Sequence, residues 1–249
     1  MKALADSGEI KQIIVVTDGR SNIGTSPVEA AQKAFALGIT VSTIGIINQR
    51  DSSDEKDIEE VEEIARAGGG LCEYSHMDNL AMTMQDLTHK TAQRTIEQIV
   101  SRQLRSIIGE DIEDMEPRSR LKIVDFIEKY GDNINLKCII LLDTSGSMKN
   151  KLDIAAKSVT ELLENLQGRP GSSSIAVITY PGSEGSNCSV ISDFTSDTDT
   201  LRRKLAAIKA GGGTPTGPAI LMACEQMLRY YRVKEGGAKE EHEALKYYV

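Results

Sequence analysis

Asp143, Ser145 and Ser147 stand at every second position of the stretch DTSGS, directly after the apolar run CIILL. One carboxylate and two hydroxyls in a tight loop offer three hard oxygen donors. Such donors suit magnesium, which takes about six oxygens at roughly 2.0–2.1 Å. Hydroxyls bring lone pairs without charge. An ion held by them and by one or two carboxylates therefore keeps affinity for one more anionic ligand. Three donors are an incomplete set, and two more candidates lie elsewhere. Asp18 follows the apolar run IIVVT and precedes Gly19; Thr214 lies in GGGTPTG. Gly211 to Gly213 would let that loop approach an ion closely.

These residues need elements to bring them together. Residues 10–19, IKQIIVVTDG, read as a buried β-branched strand running into an Asp-Gly turn. SPVEAAQKAFALG (26–38) reads as a helix, with Ser26 as N-cap, Pro27 in the first turn and Gly38 at its end. ITVSTIGIIN (39–48) is a second strand. Residues 54–70 form a helix with an acidic start, a glycine stop, and Ile58, Val61, Ile64 and Ala65 along one face. LCEYSH (71–76) is a weaker third strand. A long helix from Asp78 to about Ile108 carries the stripe Leu80, Met84, Leu87, Ile96, Ile99, Val100, Leu104 and Ile107, read as core packing. GEDIEDME (109–116) breaks it, and 117–131 is a short helix.

A second strand-rich block follows. NLKCIILLD (135–143) is a strong buried strand and 151–167 an amphipathic helix. Residues 173–181 and 188–194 are strands joined by the turn-rich GSEGSN, which predicts an antiparallel hairpin. Helices follow over 198–210 and from Ala219 to about Val233. The tail from Lys234 has room for a short charged helix. Strands alternating with helices imply a mostly parallel, doubly wound α/β sheet covered on both faces. Each block has three strands, and half a sheet would leave an apolar edge open. One six-stranded sheet with an antiparallel edge strand is the simpler solution. In such sheets ligands bind beyond the carboxyl ends of the strands. Asp18 and Asp143 would then meet over one crevice if their strands are neighbours.

DTSGS after a hydrophobic strand, then GGGTPTGPA, together with VTDG at 16–19, resembles the von Willebrand factor A (vWA) family. Its metal-ion-dependent adhesion site (MIDAS) is built from these three elements. The resemblance implies that Asp143, Ser145, Ser147, Thr214 and Asp18 ligate a metal, directly or through water. It implies Mg2+, with Mn2+ or Ca2+ as substitutes. In the family the DxSxS strand comes first and the TDG strand later. Here TDG opens the chain, so the sequence resembles a circularly permuted vWA domain. Residues 10–108 correspond to the family's second half and 135–233 to its first half. A joining segment spans 109–134, a C-terminal tail spans 234–249, and residues 1–249 make one domain. Small stand-alone bacterial vWA proteins with this order are similar. A monomer is expected over a dimer swapping half-domains, because an intramolecular partner enjoys high effective concentration.

The net charge of −8 argues against nucleic-acid binding, which needs a basic footprint. The four cysteines form no CxxC pair and are expected to be reduced and structural. The N-terminus lacks the apolar core of a signal peptide and no run is long enough to span a bilayer, so a cytoplasmic protein without membrane contact is expected. The three histidines, His76, His89 and His242, are expected to be solvated or satisfied. GGG at 68–70 lacks the Lys-Ser/Thr of a P-loop. Asp18 as a mere turn residue and Ser145 and Ser147 as helix caps are the plainer alternatives. The leading function is a non-enzymatic module whose metal takes an Asp or Glu from a protein partner. The alternatives are a Mg-dependent phosphoryl-transfer enzyme using Asp143, and a scaffold with a vestigial metal site. The enzyme reading lacks a second acid, since Ser145 stands there, and a lysine to steady a phosphate.

Overall fold

A computed structural model describes residues 9–47, 55–109, 112–131 and 133–234. The six strands are β1 (Glu9–Thr17), β2 (Thr40–Ile46), β3 (Gly69–Ser75), β4 (Asn135–Asp143), β5 (Ser173–Tyr180) and β6 (Ser189–Thr195), with apolar β-branched runs at the centre of β1, β4 and β5. They make one sheet in the order β3-β2-β1-β4-β5-β6. All neighbours are parallel except β5 and β6, which are antiparallel. Both halves of the chain thus contribute three strands to one sheet, as the open-edge argument requires. The helices are α1 (Pro27–Ala36), α2 (Glu55–Ala67), α3 (Leu80–Ile108), α4 (Pro117–Gly131), α5 (Leu152–Gln167), α6 (Thr198–Leu205) and α7 (Thr216–Lys234).

Strand residues alternate between two cores. Ile10, Ile14, Val16, Ile140 and Leu142 face α3, α5 and α6. Ile13, Val15, Ile139, Leu141 and Tyr180 face α1, α2 and α7. This two-sided burial explains why the central strands read as continuous apolar runs rather than alternating ones. Local signals place the helix ends. The Ser26 hydroxyl accepts from the Glu29 N–H at 3.4 Å, capping α1. Gly38 follows it with φ +74°, a backbone region that glycine enters without strain.

Three expectations shift. The 198–210 helix stops at Leu205, and the last helix starts at Thr216, ahead of Ala219. The 80–108 stripe is core only in its first half: Leu80, Met84, Leu87 and Ile96 are buried, whereas Ile107 is 68% exposed. Beyond Ile96 the helix has run past the sheet it covers. The glycine triplet ends α2, and its last two members open β3. A Cβ on Gly70 would lie 2.2 Å from the Val41 carbonyl oxygen, so glycine lets this edge strand close on β2. The expected helix in the tail lies outside the described residues, as does His242.

Tyr230 and Tyr231, near the end of α7, dock on the domain itself. The Lys137 ammonium lies 4.6 Å from the Tyr230 ring centre and the Lys11 ammonium 4.2 Å from that of Tyr231. Both are cation–π contacts.

Candidate metal centre

β1 and β4 are the first strands of their respective halves, and each half winds outward from them. The line between them is therefore the topological switch point of the sheet. Their register pairs Val16 with Leu142, which sets Thr17 beside Asp143 at the carboxyl ends. The Thr17 hydroxyl donates to Asp143 Oδ2 at 2.6 Å. Asp18 turns out of β1 one residue later and accepts from the Ser147 hydroxyl at 2.7 Å. The two aspartates, from opposite halves of the chain, stand over one cleft as the strand-end argument anticipates.

The DTSGS loop is held by its own backbone. The Ser145 N–H donates to Asp143 Oδ1 at 2.8 Å, and the Ser145 and Ser147 hydroxyls are 3.1 Å apart. Residues 146–150 form a 3-10 turn, and Ser145, at its N-cap position, makes no side-chain cap bond. α5 starts at Leu152 and also lacks a side-chain cap bond. The capping alternative for the two serines therefore fails, and the hydroxyls face Asp18 and each other instead. The turn alternative for Asp18 is likewise incomplete, since its carboxylate bridges to the other half of the chain.

Thr214 is buried between the two aspartate loops. On one side its N–H donates to Asn22 Oδ1 at 2.8 Å, and its carbonyl accepts from the Asn22 N–H at 3.1 Å. On the other side the Gly211 N–H donates to the Thr144 carbonyl at 2.8 Å, and the Gly146 N–H to the Gly212 carbonyl at 3.3 Å. Close approach matters at two of the three glycines. Gly212 has φ +80°, and a Cβ on Gly213 would meet Asn22 Oδ1 at 2.7 Å; Gly211 has open space. All five candidate residues, Asp18, Asp143, Ser145, Ser147 and Thr214, thus gather where three loops meet.

Asp143 is fully buried. Burial pushes its carboxyl up to about 6, and the nearby charge of Asp18 adds to this; the bonds from Thr17 and Ser145 pull the other way without cancelling it. Among the described residues no three His, Cys, Asp or Glu side chains gather. The candidate donors here are two carboxylates and hydroxyls, an all-oxygen set that suits a hard cation.

The sequence reading missed several residues of the site. It found no lysine there, yet Lys151 pairs its ammonium with Asp18 Oδ2. Lys151 lies four residues beyond Ser147, at the end of the 3-10 turn, and the helical pattern around it hid the inward direction of its side chain. Glu60, in the helix read for its acidic start and its apolar face, accepts from the Ser21 N–H at 2.6 Å and fixes the loop after Asp18. Asn22 is the polar bridge to Thr214, and only its place in a polar loop signalled it.

Residues 3–94 and residues 138–239 each match a family model described as von Willebrand factor type A domain. The uncharacterized protein YabS of Bacillus subtilis (strain 168) is 33% identical over 223 residues, covering 89% of this chain and 90% of its own length. The crystal structure of an uncharacterized protein from Alicyclobacillus acidocaldarius subsp. acidocaldarius DSM 446 is similar with a TM-score of 0.83. It shares 37% identity and covers 91% of this chain and 97% of its own.

Proposed function

The chain belongs to the von Willebrand factor type A family, and from that premise we propose that it is a metal-ion-dependent protein-binding module. Asp143, Ser145, Ser147, Thr214 and Asp18 hold a divalent cation, Mg2+ first and Mn2+ or Ca2+ as substitutes. The bound ion supplies a Lewis-acid seat for an Asp or Glu of a partner protein. One observation carries this reading. Two aspartates from opposite halves of the chain share a hydroxyl-lined cleft, tied by the Thr17–Asp143 and Ser147–Asp18 bonds. A buried carboxyl pushed up to about 6 fits as well, because its charged form is short of compensating positive charge. A divalent cation would provide that charge.

The same reading makes the protein a circularly permuted single domain, monomeric, cytoplasmic and without catalysis. No helix among the described residues is long and apolar enough to cross a membrane. Lys151 does not strengthen the phosphoryl-transfer alternative, because its ammonium is already engaged by Asp18. Ser145 still stands where that chemistry would want a second acid.

The test is Asp143→Asn, which keeps the volume and removes the charge. The variant folds and loses Mn2+ binding by calorimetry, together with magnesium-dependent capture of protein partners. A variant that binds manganese as wild type does ends the proposal.

A further inference from the structure

We propose that Lys151 is a built-in counter-cation of the metal site, holding Asp18 when no ion is bound and setting how tightly an ion is held. This rests on the metal reading above. The Asp18 side chain is 1% exposed and that of Lys151 11%, so both charges are largely withdrawn from water. A carboxylate so placed needs a compensating charge inside the protein. Lys151 supplies it from a fixed base. Its N–H donates to the Met148 carbonyl at 2.8 Å, and its carbonyl accepts from the Ala155 N–H at 2.9 Å. The stem is therefore anchored where the 3-10 turn becomes α5, and its ammonium is aimed into the cleft rather than out to solvent.

Asp18 is asked to serve two cations. Its Oδ1 accepts from Ser147 and its Oδ2 from Lys151, so both carboxylate oxygens are occupied before any metal arrives. An incoming divalent ion must share Asp18 with the ammonium. Without Lys151 the empty site would hold two carboxylates and no cation, and the filled site would be neutral. With Lys151 the empty site carries one net negative charge and the filled site one net positive charge. The lysine thus weakens the hold on the ion, steadies the empty domain, and leaves the filled site attractive to an incoming carboxylate.

The experiment compares wild type, Lys151→Met and Lys151→Arg by Mn2+ calorimetry and by thermal unfolding with and without saturating Mn2+. Lys151→Met removes the charge and keeps the stem. It is expected to bind Mn2+ about tenfold tighter, to melt several degrees lower than wild type without metal, and to regain wild-type stability with it. Lys151→Arg keeps the charge and is expected to match wild type in both readouts. Equal Mn2+ affinity in Lys151→Met and wild type overturns the inference. So does an arginine variant that behaves like the methionine one, or a methionine variant that stays unfolded in saturating Mn2+. Wild type that binds no Mn2+ at all is a different result, because it removes the metal reading itself.

Discussion

Asp143 holds a carboxylate in full burial, and its titration gives the site a pH signature. Burial raises its folded pKa to about 6, whereas an unfolded chain would release the proton near 3.8. The metal-free folded state therefore binds more protons between those values. The stability contributed by the protonated group is present below about 4 and lost as pH rises through 6, an upper limit of roughly 3 kcal/mol. An ion must displace that proton. Mn2+ affinity is expected to be flat above pH 7 and to fall about tenfold per unit below 6, measured by calorimetry from pH 5 to 8. Asp143→Asn should lose this pH dependence of metal-free stability, because its amide does not titrate. At this scale the sequence offered the candidate donors and hid their supports. DTSGS, TDG and GGGTPTG are short contiguous stretches, and the family resemblance joined them into one set. Lys151 and Glu60 act across the fold, and their chain neighbours carry no trace of it.

At the scale of elements, hydrophobic period was informative wherever one partner surface persisted along the whole segment. β1, β4 and β5 lie between two helical layers, so their runs of Ile, Val and Leu announce them. α3 shows the opposite case: its stripe continues to Ile107 although the sheet beneath it ends earlier, and period alone cannot see where a partner stops. Burial inside a strand pattern also conceals polar faults. Gln12 sits in β1 between Ile10 and Ile14 on the α3 side, fully buried, and neither amide atom has a hydrogen-bond partner among the described residues. An orphaned buried amide costs about 1–3 kcal/mol, and an apolar group of similar shape avoids that cost. Gln12→Met is expected to raise the unfolding free energy by about 1 kcal/mol in urea melts, with no change in Mn2+ affinity. A loss of stability would show that the amide has a role in the fold.

At the scale of the molecule, chain order and spatial order part company. The stretch bearing TDG precedes the stretch bearing DTSGS, and each matches a von Willebrand factor type A model separately, yet their strands meet as nearest neighbours at the centre of one sheet. If the chain is a permuted form of the domain, the start of β1 and the end of α7 are points that can be joined. The Tyr231 hydroxyl bonds the Glu9 carboxylate, so the last turns of α7 lie against the start of β1. A linker of about ten Gly and Ser residues spans such a gap readily. The chain can then be closed between Lys234 and Glu9 and reopened between α3 and α4, in the acidic stretch that follows Gly109. The re-ordered protein begins with α4 and β4, so DTSGS precedes TDG. It is expected to keep the six-stranded sheet, to unfold in urea within about 2 kcal/mol of the original, and to bind Mn2+ with the same affinity, because the residues that make the Thr17–Asp143 and Ser147–Asp18 bonds lie away from both cuts. A re-ordered chain that folds only as a mixed dimer would point to half-domains that pair between molecules. One that folds as a monomer but cannot bind Mn2+ would show that the stretch between α3 and α4, the first part of the joining segment, does more than close the circuit.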